Sequence, residues 1–245
     1  MEMKDAARFG VSQLLFGSLQ LDGQQWGFPD RYEIHDGKSI NLGNTADRGV
    51  IPWTVVGDAL VCNMNLLTGI RWDTLNEMNL IFGRTVHIDG FRFRCRVPIS
   101  DHDGEAEWED AMKIADGADS FWHWKGNPSW SQLEIDSPQQ RLVRGGKSAI
   151  DYQWRCLDDI CGWRPVLEPR GLLFKKDEPE TGVELLVWGC GSVIRGTVLE
   201  HTPYDILLRS GSGWSAPVNP LFRATDDDLV IVDRAKIEFF QVAEK

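Results

Sequence analysis

The chain has 245 residues, 42% hydrophobic and 26% charged, with a formal net charge of −11. That balance excludes wholesale disorder and gives ample apolar material for a core in one large domain or one medium and one small one. It argues against sequence-independent nucleic-acid binding, which depends on Lys and Arg neutralising phosphates.

Five cysteines form no paired framework, and Cys156 and Cys161 have four residues between them rather than the two of a zinc knuckle. Reduced thiols in a cytoplasm are the expectation. The N-terminal residues lack a signal-peptide run, and no apolar stretch of about 18 residues occurs, so no membrane span is expected. The eleven tryptophans call for burial with a paired N–H or for a place on a binding surface.

In chain order, the first 50 residues are irregular, with a short strand over 14–16. IPWTVVGDALVCNMN reads as a hairpin, strands 53–56 and 60–62 about a Gly57-Asp58 turn. A helix is predicted over 74–82, capped by Asp73 or Thr74 and ended by Gly83. Val86 and Ile88 lead into an Asp89-Gly90 turn. Beyond it Phe91, Phe93, Cys95 and Val97 alternate with Arg92, Arg94 and Arg96, an apolar face against a basic one that could bind a phosphate or carboxylate but is more simply read as solvated or paired with nearby acids of 101–110. A second helix is predicted over 105–115.

FWHWKGNPSWSQ then places Trp122, His123, Trp124 and Trp130 among turn residues. Such a stretch can build a satellite cluster under loops or a recognition surface. In RLVRGGKSAIDYQWRCLDDICGWRPVLE, Gly145 and Gly146 supply a backbone turn, and Arg144 and Arg164 are positioned to brace the two ends of a polar loop over 147–159. Asp151, Tyr152, Trp154 and Asp158 are that loop's candidate contacts with a ligand or partner, because loops on rigid scaffolds carry function disproportionately. Val166 and Leu167 read as a closing strand. After a charged, Pro-containing linker over 173–181, short strands separated by Gly, Pro and Asp turns predict a small β-barrel over 182–245.

The order R-x-V-R-G-G, variable loop, G-W-R-P-V-L resembles the closing section of the formylglycine-generating (sulfatase-modifying) family, whose members share a C-type-lectin-like fold. FGS…IPWTVV followed by GWRPVL is also similar to a bacterial family of uncharacterised domains of that fold. GSVIRGTVLEHTPYDILLRS resembles an Sm-like strand pair with a bend at Gly196. These resemblances imply an α+β chain: a C-type-lectin-like domain over 1–172, a linker over 173–181 and an Sm-like barrel over 182–245. Aligning the Gly-Gly pair puts Ile150 and Arg155 where that family's active cysteines fall, with Cys156 one residue off, so oxidase chemistry is not expected.

The superfamily often binds calcium structurally, which gives Asp101, His102, Asp103 and Glu105 a weak claim to Ca²⁺; an acid-rich helix start is the simpler reading. No other cofactor is expected. The expected function is non-catalytic recognition, in a bacterial or phage setting, of a protein partner or small-molecule ligand. The alternatives are a divergent formylglycine-generating-type enzyme using Cys156, Cys161 or His123, and an acidic phage-type inhibitor of a nucleic-acid-binding host protein.

Overall fold

A computed structural model describes residues 9–26, 39–100, 106–134, 139–171, 173–174, 179–210, 214–215, 219–225 and 228–244. The calcium-loop residues Asp101, His102, Asp103 and Glu105 lie outside the described residues, as does 175–178 of the expected linker. No helix among the described residues is long and apolar enough to cross a membrane.

The elements run β1 (Gln13–Leu21), β2 (Gln24–Gln25), β3 (Ile40–Gly43), β4 (Val50–Val56), β5 (Ala59–Cys62), β6 (Leu67–Arg71), α1 (Trp72–Glu77), β7 (Arg84–Ile88), β8 (Phe91–Arg96), α2 (Glu107–Lys113), α3 (Asp119–Trp122), β9 (Ser129–Glu134), β10 (Gln140–Arg144), β11 (Tyr152–Cys156), β12 (Ile160–Trp163) and β13 (Val166–Arg170). They continue with β14 (Leu173–Phe174), β15 (Glu184–Gly189), β16 (Ser192–His201), β17 (Asp205–Arg209), β18 (Trp214–Ser215), β19 (Phe222–Ala224), β20 (Leu229–Asp233) and β21 (Phe239–Val242). Three sheets result. The first has the order β18-β1-β4-β5-β13-β8-β7, with β2 and β3 also on β1; the second is β11-β10-β9-β12-β6; the third is β14-β21-β15-β16-β17-β20-β19.

This corrects the fold expected from the resemblance. Among the described residues, strands hold 51% and helices 13%, in three sheets with a half-barrel, so the chain is mostly β and not an α+β protein with a C-type-lectin-like domain. The physical reason lies in the helices. α1 has six residues, α2 seven and α3 four, too short to form a layer of their own. The helix expected over 74–82 stops at Glu77 and gives way to a turn with Asn79 at positive φ.

Local turn chemistry sets the first sheet. β4 and β5 form the hairpin that the Gly57 turn calls for, pairing Trp53 with Cys62 and Val56 with Ala59. β7 and β8 turn through Asp89 and Gly90, both at positive φ as a tight hairpin of this hand requires. Phe91, Phe93 and Cys95 are wholly buried on one face of β8. On the other, Arg92 faces Glu244, Arg94 faces Glu168, and Arg96 is buried between Glu107 and Glu168.

β15 explains how the third sheet sits on the first. It is an apolar run buried on both faces. Leu185 and Val187 join the cluster with Ile194, Val198, Ile206 and Leu208, whereas Leu186 and Trp188 join the cluster that contains Phe16 and Phe91. Polar contacts reinforce the junction. Arg195 pairs with Asp89 in the β7–β8 turn, and Gln241 Nε2 donates to the carbonyls of Arg92 (2.6 Å) and Arg170 (2.8 Å). Within the expected linker, Leu173–Phe174 pairs with β21. Among the described residues, the end strands of the third sheet, β14 and β19, do not pair with each other.

Candidate interaction surface

The segment 122–130 meets the Gly145-Gly146 turn that leads into 147–159. Gly145 and Gly146 adopt φ of +80° and +110°, and a Cβ on Gly145 would lie 3.2 Å from Cβ of Trp124. Only glycine permits this approach without strain. The backbone N–H of Gly146 donates to the Trp124 carbonyl (3.1 Å), and that of Gly126 donates to the Gly146 carbonyl (2.9 Å). Lys125 and Gly146 form an isolated parallel bridge.

Two arginines lie behind this junction. Arg164 is fully buried; it donates to the carbonyls of Cys62 (2.9 Å) and Trp122 (2.8 Å) and to Ser129 Oγ (3.3 Å), under the rings of Trp108 and Trp122. Burial lowers its pKa to about 10, with the neighbouring Cys62 acting the other way, so it keeps its charge at neutral pH. Arg144 is buried against Glu109 of α2, and its guanidinium lies 5.9 Å from the Tyr152 ring centroid.

The polar loop expected over 147–159 contains a strand. β11 pairs with β10 in a regular antiparallel ladder, Arg144 with Tyr152 through Gln140 with Cys156, without a bulge. It ends the five-stranded sheet, with β10 its one strand neighbour among the described residues. Two bonds flanking the ladder orient its backbone. The Asp151 carbonyl accepts from Gly145 N–H (2.9 Å), and Leu157 N–H donates to the Gln139 carbonyl (3.2 Å). Both groups of a strand residue point to the same side, and sides alternate along the strand. Odd-numbered residues therefore face β10, and the N–H and C=O of Tyr152 and Trp154 face outward. Cys156 also faces outward, but its N–H donates to Asp159 Oδ2 and its carbonyl accepts from Asp159 N–H, both at 3.0 Å.

Side chains follow the same alternation. Tyr152 is 52% exposed and Trp154 half-buried on one face. On the other face Gln153 links its neighbours, donating to Asp151 Oδ2 (3.2 Å) and accepting from Arg155 Nη2 (2.8 Å). Ile150 is 72% exposed and Ile160 64%, so the two ends of β11 are flanked by bare aliphatic side chains. Composition does not mark these isoleucines, or Gln153 and Arg155, as surface features; the alternation Asp-Tyr-Gln-Trp-Arg over 151–155 is the signal that could have.

Of the remaining expected contacts, Asp158 is exposed in the β11–β12 turn, and His123 and Trp124 are half-buried. His123 ends α3 in the left-handed conformation. Trp122 and Trp130 are fully buried, their indole N–H groups bonded to the carbonyls of Ile114 (2.9 Å) and Ile70 (2.8 Å), so neither offers a ring to solvent. Beside Asn127 and Ile160 lies a polar cavity of about 480 Å³, also lined by Thr68, Pro128 and Cys161.

Cys156 is exposed and Cys161 buried; both are free, as are Cys62, Cys95 and Cys190. Burial pushes the Cys161 thiol up to about 12 against the pull of Arg155, with Asp159 adding to the rise. A thiol so placed is a poor thiolate ligand or nucleophile at neutral pH. No family model, curated protein or solved structure matches this chain.

Proposed function

We propose that this chain is a non-catalytic recognition protein that binds a protein partner through β11 and the side chains flanking it. The observation that carries the reading is an unguarded strand edge. β11 has no lysine, proline or bulge to block further pairing, three of the devices by which sheet edges are kept from associating, and its one charge, Arg155, is bonded to Gln153 on the same face. It presents outward-facing backbone groups beside an exposed tyrosine, a residue type enriched in binding hot spots. Main-chain pairing would supply affinity and the alternating side chains specificity, the logic of strand addition. The five free cysteines support a reducing, cytoplasmic setting.

The test is affinity capture from a lysate of the source organism, comparing wild type with Tyr152→Ala and Trp154→Ala. A protein retained by wild type and lost by both variants, with melting temperatures unchanged, supports the reading. Equal capture by all three removes β11 as the recognition element.

A further inference from the structure

We infer that the partner β11 is built to accept is a second copy of β11, paired antiparallel about a two-fold axis at Gln153. The inference rests on the recognition reading above and names the occupant of the same edge.

The backbone selects the register. In an antiparallel ladder, hydrogen-bonded pairs form between residues whose N–H and C=O both face the partner. On β11 the residues with outward groups uncommitted to the local turn are Tyr152 and Trp154, because those of Cys156 are bonded to Asp159. An axis at Gln153 sets Tyr152 opposite Trp154 of the other copy, and Trp154 opposite its Tyr152. Each of these pairs can exchange both its N–H···O bonds. An axis at Trp154 would instead set Tyr152 opposite Cys156 and require the groups that Cys156 has already committed.

The side chains agree with that register. Asp151 falls opposite Arg155 of the other copy, and Arg155 opposite its Asp151, so opposite charges meet twice. These are non-hydrogen-bonded pairs, in which side chains approach closest. On the other face each tyrosine meets a tryptophan, a favourable cross-strand aromatic pairing. Gln153 meets its own symmetry mate on the axis, where an amide can both donate and accept. The sequence 151–155 is thus self-complementary in charge, aromaticity and hydrogen bonding, as a two-fold interface requires. A second copy also explains a matched charge pair on the edge of a chain that carries −11 overall: the interface itself adds no net charge.

The test is a charge swap read by sedimentation equilibrium at physiological ionic strength. Wild type should show a reversible, concentration-dependent dimer. Asp151→Arg sets like charges opposite each other twice, and so does Arg155→Asp; each should weaken self-association about tenfold or more while leaving unchanged the melting temperature read at a concentration where wild type is also monomeric. An equimolar mixture of the two single variants should regain the wild-type affinity as a heterodimer, and the Asp151→Arg/Arg155→Asp double variant should regain it as a homodimer. Wild type that stays monomeric, single variants that dimerise like wild type, or a mixture that fails to recover each overturn the inference. If wild type is monomeric yet captures a partner that Tyr152→Ala loses, self-pairing falls and the recognition reading stands. If Tyr152→Ala alters neither capture nor self-association, both fall.

Discussion

Arg164 donates from Nη1 to the carbonyl of Cys62, 102 residues earlier in the chain, at 2.9 Å. With Nη2 on the Trp122 carbonyl and Nε toward Ser129 Oγ, one guanidinium ties the end of β5 to the end of α3 and the start of β9. All three acceptors are neutral, so the arginine acts here as a five-donor fork that satisfies buried oxygens.

Arg164→Ala should therefore be among the most damaging single substitutions. It orphans two buried carbonyls at about 1–3 kcal/mol each and leaves a void beneath Trp108 and Trp122. Arg164→Lys should recover only part of the loss, since an ammonium lacks the planar fork. Chemical denaturation of both variants checks the order.

Arg144 and Tyr152 should separate stability from recognition. Arg144→Ala leaves Glu109 buried without its partner and should cost about 3–5 kcal/mol. Tyr152→Ala removes an exposed ring and should shift stability by about 0.5 kcal/mol or less. Thermal melts of the two variants decide; a large loss from Tyr152→Ala would make β11 a core element rather than a contact surface.

Glu168 gives the chain an acid-sensitive contact. Burial alone would raise its pKa, but the hydrogen bond and charge of Arg96, aided by Arg170 and Arg94, outweigh that and hold it below the ordinary value of 4.5. A carboxylate lowered on folding contributes stability that is present above its unfolded pKa and lost as pH falls through the folded one. Unfolding measured from pH 6 downward, a range of about three pH units, should show Glu168→Gln less stable at the neutral end and less sensitive to acid than wild type.

How far the sequence was legible follows from the range of each signal. The hairpins at Gly57 and Asp89-Gly90 are local, each coded by turn residues between alternating apolar runs, and both form. The strand inside 147–159 escaped because its alternation, Tyr152 and Trp154 against Asp151, Gln153 and Arg155, is short and neither face is buried, so it lacks the aliphatic run of a core strand. The second sheet escaped for a different reason: β12 pairs parallel with β9 and antiparallel with β6, joining segments far apart in the chain. Trp122 and Trp130 looked like surface candidates because aromatic residues among turn residues suit a binding loop; their indole N–H groups instead find backbone carbonyls inside the core. Short signatures such as GWRPVL describe how a strand meets its neighbour and do not carry a whole architecture.

The thiols should divide by burial. Cys156 and Cys190 are exposed, whereas Cys62 and Cys95 are enclosed and pushed up to about 12, mainly by burial. A thiol raised on folding contributes stability present below its unfolded pKa near 9.0 and lost as pH rises toward 12. Alkylation of the native chain at neutral pH should label Cys156 and Cys190 first, and all five cysteines once the chain unfolds. Mass measurement of the two states reads this directly, and stability should decline on the alkaline side.

The open edge of β11 is most directly tested by residue-resolved amide hydrogen exchange in the monomeric Asp151→Arg variant, beside wild type at a concentration where it has bound its partner. In the monomer, the amides of Gln153 and Arg155 should be protected by β10 and those of Tyr152 and Trp154 should exchange as open amides. In the bound wild type all of them should be protected. Protection of Tyr152 and Trp154 in the monomer equal to that of Gln153 would mean that β11 is already covered, and would contradict the account.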